Sequence, residues 1–124
     1  MKRFLVILML FLIPSSGYAK EWYEGGTLHN ATALEWQNAT FQNKLATCGD
    51  IVSAAWQNKR FKPEIQSKIT SMDVVMVLAK ELMTGLDKAF EKEPDPKQNE
   101  IMYTNQKVSS SAALLMVMMG WVKL

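Results

Sequence analysis

Apolar residues in the middle of this chain recur at the spacing of an α-helix and at no other regular spacing. Phe41, Leu45, Cys48, Val52, Ala55 and Trp56 recur at spacings of three and four residues, Trp56 standing four from Val52. After a break, Met72, Val75, Met76, Ala79, Leu82, Met83, Leu86 and Phe90 do the same. A half-buried strand needs alternation, so this pattern excludes a sheet and predicts two amphipathic helices, over residues 41–59 and 72–91. Val74, Val77 and Leu78 widen the second apolar face, which places that helix centrally, covered on two sides.

Local signals set the ends of these helices. Thr40 is a candidate N-cap for the first, and Lys59 and Arg60 suit its C-terminal dipole. Gly49 interrupts it at a cost of about 1 kcal/mol relative to Ala, and its bareness suits a close crossing. Phe61-Lys62-Pro63 forms a joint, and Pro63 fits the first position of a short helix over 63–69. Ser71 is the expected cap of the second long helix, and Lys92-Glu93-Pro94-Asp95-Pro96 ends it. Residues 94–104 read as a polar connection with a helical turn at 98–102. Thr104 or Asn105 then caps a last helix over 106–122, with Val108, Leu115, Met119 and Val122 expected on its buried side. Its apolar run from Ala112 to Met119 is far short of the roughly 20 residues that span a bilayer. The expected fold is all-α: a small bundle of three main helices, with an irregular aromatic N-terminal segment packed on it.

Residues 1–19 read as a signal peptide. Lys2 and Arg3 give the positive start, Phe4 to Ile13 is an unbroken apolar run, and Gly17-Tyr18-Ala19 offers small residues at a cleavage site after Ala19. Residues 20–124 then form a single domain in the periplasm or outside the cell, with no stable membrane span once the signal is removed. Processing also removes two of the 14 basic residues, leaving as many as the 12 acidic ones. A chain without net positive charge lacks the footprint of a nucleic-acid binder, and it equally lacks that of an electrostatic membrane binder.

The most distinctive stretch is Trp22 to Asp50, which holds the one His (His29) and the one Cys (Cys48). Trp22 and Tyr23 carry large apolar surface with polar edges. Gly25-Gly26 breaks regular structure and lets the segment turn back. Thr32-Ala33-Leu34-Glu35 fits a capping box, starting a short helix near Ala33 with Trp36 in its first turn. Docking Trp22 and Tyr23 on the domain's own helices, with Trp36 or Trp56 as contact, is weighed against a surface that a partner covers. The candidate binding residues are Trp22, Tyr23, Gly25, Gly26, His29 and Trp36.

No pattern in the chain assembles a known catalytic or metal site. G-x-S-x-G, H-E-x-x-H and C-x-x-C do not occur. A single Cys cannot form an internal disulfide, and Cys48 falls on an apolar helical face. His29 lacks a companion pattern and is expected to pack or to cap through a ring nitrogen. Met72, Met76 and Met83 supply soft sulfur of the kind copper proteins use, but they follow the core stripe. Asn30-Ala31-Thr32 and Asn38-Ala39-Thr40 match glycosylation sequons, yet each Thr stands where a helix starts. Glu21, Glu24 and Glu35 cluster in sequence, but a glycosidase needs a cleft between its two carboxylates. No catalytic residue, metal or cofactor is assigned, and no enzyme activity is expected.

The run W-Y-E-G-G-T-L-H, followed by E-W and N-K-L-A-T, resembles a segment of small exported bacterial proteins of unassigned function. The tract T-C-G-D-I-V resembles the first helix of acid-stress periplasmic chaperones, which carry a disulfide that one Cys cannot supply. The resemblances imply an exported bacterial protein and bring no activity or ligand. The expected function is a binding module of the cell envelope whose partner is another envelope protein. The alternatives are an immunity or inhibitor protein against a toxin in the same compartment, or an acid-stress chaperone.

Overall fold

The computed structural model describes residues 21–124. The expected signal peptide and its cleavage site lie outside the described residues. The fold is all-α, with helices α1 (Ala33–Gln37), α2 (Phe41–Gln57), α3 (Pro63–Gln66), α4 (Met72–Ala89), α5 (Pro96–Tyr103) and α6 (Val108–Met118). The three longest, α2, α4 and α6, are the three main helices expected.

α2 and α4 run antiparallel and form the centre. Lys44 at the start of α2 pairs with Asp87 near the end of α4 at 3.0 Å. At the other end, Trp56 of α2 lies beside Met72 and Val75 of α4. Their stripes bury Leu45, Cys48, Val52 and Ala55 against Val75, Ala79, Leu82 and Leu86. Each large apolar side chain so buried contributes roughly 1.5–3 kcal/mol. α6 covers another side of α4, with the Leu115 side chain lying over Gly85. The first and last residues of the α2 stripe depart from expectation: Phe41 is 57% exposed and Trp56 39%.

Both expected threonine caps form. The Thr32 hydroxyl accepts from the Glu35 amide while the Glu35 carboxylate accepts from the Thr32 amide, and the Thr40 hydroxyl accepts from the Asn43 amide. Ser71 has the extended backbone of an N-cap, but its side chain makes no capping bond. α5 is longer than the single turn expected. Asp95 accepts from the Lys97 amide as N-cap and Pro96 opens the helix, a pairing that favours a helix start.

α2 and α6 end in the same way. At α6 the amide of Gly120 donates to the Val117 carbonyl and that of Trp121 to the Met116 carbonyl. At α2 the amide of Lys59 donates to Trp56 and that of Arg60 to Ala55. These are Schellman ends, whose pivot residue takes the left-handed conformation. Gly120 does so at φ 77°, and Lys59 does so at φ 54° despite its Cβ. Gly120 thus stops α6 at Met118, short of the expected 122. The fully buried residues of α6 are the expected Val108 with Ala112 and Met116; the expected Leu115 is partly buried against α4, and Met119 stays 36% exposed.

Aromatic rings close the ends of the bundle. Trp36, Phe90 and Tyr103 meet edge-to-face in sequence, joining α1, the end of α4 and α5. Phe61 and Trp121 do the same at the opposite end, where Phe61 and Val122 pair in an antiparallel bridge. Among the described residues no helix is long and apolar enough to cross a membrane.

Candidate functional site

The N-terminal segment, residues 21–32, docks lengthwise on α2. Glu24 donates its amide to the Glu21 carbonyl, and Glu21 donates its amide to Glu24 Oε1, each at 3.0 Å. This turn presents Trp22 and Tyr23, whose rings meet edge-to-face. Gly25, at φ 87°, then redirects the chain towards α2.

Two glycines make the docking possible. A Cβ on Gly26 would stand 2.6 Å from the Thr47 amide nitrogen and 2.8 Å from the Ala46 carbonyl carbon. Backbone meets backbone there, and no side chain fits. A Cβ on Gly49 would stand 2.7 Å from Cζ3 of Trp22, so the indole occupies the space that the bare helix position leaves. The close approach expected at Gly49 is therefore to an aromatic ring, not to another helix. Trp22 meets α2 here instead of at Trp36 or Trp56.

Polar bonds fix the rest of the segment. The Thr27 amide donates to Asn43 Oδ1 at 2.8 Å, and the buried Leu28 amide donates to Thr47 Oγ1 at 3.1 Å. Thr47 is the one buried polar residue among the described residues, and this bond gives its hydroxyl a partner. His29 Nε2 donates to Asp50 Oδ2 at 2.9 Å, tying the following turn to α2. The Ala31 carbonyl then accepts from the Val108 amide, and the Ala33 amide donates to the Gln106 carbonyl, which joins the segment to the start of α6.

The six candidate residues are thereby divided. Gly25, Gly26 and Trp22 shape and anchor the segment, and His29 fastens it. Trp36 is only 1% exposed, its Nε1–H donates to Asp87 Oδ1 at 2.9 Å, and the Lys44 ammonium stands over its ring; it is a core residue. Tyr23 remains at the surface. Phe41, which sequence periodicity assigned to the core, joins Trp22 and Leu45 in lining a groove of about 370 Å³, with Glu21 and Glu24 at its edge. The only signal for this was Phe41's place at the first position of α2, where a stripe residue can lie beyond the neighbouring helix.

The chemistry available here is recognition by apolar surface and negative charge. His29 makes one hydrogen bond, to Asp50, and no hydroxyl or thiol is joined to it among the described residues. Cys48 is buried, and desolvation, with a contribution from the nearby Asp87 charge, pushes its thiol up to about 12. It is held as the inert neutral thiol. No group of three or more His, Cys, Asp or Glu side chains converges as a metal site among the described residues. In comparisons with known proteins, no family model, no curated protein and no solved structure matches this chain.

Proposed function

We propose that this chain is a small exported protein of the cell envelope that acts by binding another envelope protein, not by catalysing a reaction. One observation carries the reading: of the two aromatics at positions 22 and 23, Trp22 is seated on α2, while Tyr23 rests edge-on against it and stays 36% exposed. Trp22 fills the gap over Gly49, while Tyr23 and the 57% exposed Phe41 stand at the surface. Rigid aromatics held at a surface are effective anchors for a partner, because little conformational freedom is lost when they are covered. Glu21 and Glu24 at the groove give the complementary partner its character: an apolar or aromatic tip with a Lys or Arg beside it. Export rests on residues 1–19, with processing after Ala19.

The test is site-specific photocrosslinking in the envelope, with a benzophenone amino acid at position 23 or 41 and, as control, at the exposed Lys97. One discrete adduct from 23 and 41, absent from 97, is the expected result; a Tyr23→Ser change should deplete the adduct formed from 41. Equal labelling at all three positions, or none, contradicts the reading. If the adduct is a toxin, the protein is an immunity factor within the same binding class.

A further inference from the structure

A second cleft lies at the opposite end of α2, where the Schellman ends of α2 and α6 come together. It has a volume of about 280 Å³; Ala54, Ala113, Met116 and Val117 give it apolar wall, and Asn58, Arg60 and Lys123 give it polar lining. The two basic residues are held on paired backbone: the Lys123 amide donates to the Arg60 carbonyl at 3.1 Å, next to the Phe61–Val122 bridge. Among the described residues the Lys–carboxylate pair is Lys44 with Asp87, neither Arg60 nor Lys123 has a carboxylate at ion-pair distance, and Lys59 and Lys62 add further positive charge nearby.

Basic residues just past helix C-termini offset the macrodipole, which accounts for some of this charge. It does not account for an apolar cleft beneath it. Proteins close such space when the residues permit, and here alanines at 54 and 113 keep it open. A partly apolar lining that also carries two basic residues suits an anionic head with an apolar tail. The guanidinium offers paired donors to a carboxylate, and the ammonium adds a point charge. We infer that it binds a free monocarboxylate with a short straight alkyl chain; the cleft is at the small end of the range for ligand pockets. This site is separate from the groove lined by Trp22 and Phe41 and does not rest on the function proposed for that surface.

The probe is sodium octanoate, titrated into the purified protein while amide resonances are followed by NMR. Sodium acetate supplies the head alone and octyltrimethylammonium the tail with the opposite charge. Saturable shifts centred on residues 54, 113 and 117 are expected with octanoate and with neither control. Arg60→Gln combined with Lys123→Gln should weaken octanoate at least tenfold, and Ala113→Leu, which fills the cleft, should abolish the shifts. The inference is overturned if octanoate gives no saturable shifts, if the shifts centre elsewhere, or if octyltrimethylammonium binds as well. It is also overturned if Ala113→Leu binds as the parent does. Should Ala113→Leu fail to fold, the Arg60/Lys123 variant decides, because both side chains are exposed and their loss leaves the core intact.

Discussion

Replacing Gly49 by Ala should have opposite effects depending on whether Trp22 is present. In a helix interior, Gly→Ala is worth about 1 kcal/mol of added stability. At position 49 the new methyl would stand 2.7 Å from Cζ3 and 3.0 Å from Cη2 of Trp22. Either the ring leaves its seat or the helix shifts, and overpacking of this kind costs roughly 1–3 kcal/mol. The expected outcome in the parent protein is a net loss of up to about 2 kcal/mol. With Trp22→Ala already in place the methyl meets no ring, and Gly49→Ala should stabilise by about 1 kcal/mol. Trp22→Ala alone should destabilise by about 2 kcal/mol, less than the 3–5 kcal/mol of a fully buried Trp because the ring is half-buried. Equilibrium urea unfolding of the four proteins gives the cycle directly. A coupling above about 1 kcal/mol is predicted. If Gly49→Ala changes stability equally in both backgrounds, within about 0.3 kcal/mol, the indole does not sit over Gly49 and the docking described above is wrong.

Two further outcomes follow from local geometry. Lys59 holds a left-handed conformation at φ 54° as the pivot of the α2 terminus, so Lys59→Gly should raise stability by about 0.5–1 kcal/mol, read as a higher urea midpoint at unchanged slope. Burial that pushes the Cys48 thiol from its ordinary 9 up to about 12 should make it react with a disulfide reagent only as fast as the protein opens. Because the folded state holds this proton more tightly than the unfolded chain, its contribution to stability is complete below pH about 9 and is lost as pH rises towards about 12. Cys48→Ala should flatten that part of the pH–stability curve, and fast labelling of the native protein at neutral pH would contradict the burial.

Features determined within a few residues of sequence were readable in advance. The Thr32–Glu35 box, the Thr40 cap and the interiors of the α2 and α4 stripes depend on neighbours along one helix, and they appear where expected, while the stripe ends Phe41, Trp56 and Met72 stay exposed. α6 was harder for a physical reason. It is apolar on nearly every side, so periodicity carries no phase, and the small residues Val108 and Ala112 turned inward while Leu114 and Met118 stayed 59% and 71% exposed. Its end at Gly120 and the start of α5 at Asp95-Pro96 were legible signals that the apolar and polar runs around them concealed. The seat of Trp22 was not legible at all. It depends on Gly26 meeting the backbone at Ala46 and Thr47, and on Gly49 meeting an indole, and those are complementarities between parts of the chain that no local pattern encodes.

The docked segment is what separates Trp22 from Tyr23 and gives the candidate site its shape, and the Leu28 amide reports on it most directly. That amide is buried and donates to Thr47 Oγ1 at 3.1 Å, a bond that exists only while the segment lies on α2. Residue-resolved hydrogen exchange of the native protein should find Leu28 protected to the same degree as the amides in the middle of α2, since both are released by the same opening. Exchange of Leu28 at the rate of an unstructured peptide, with α2 and α4 still protected, would mean that the segment is not part of the fold.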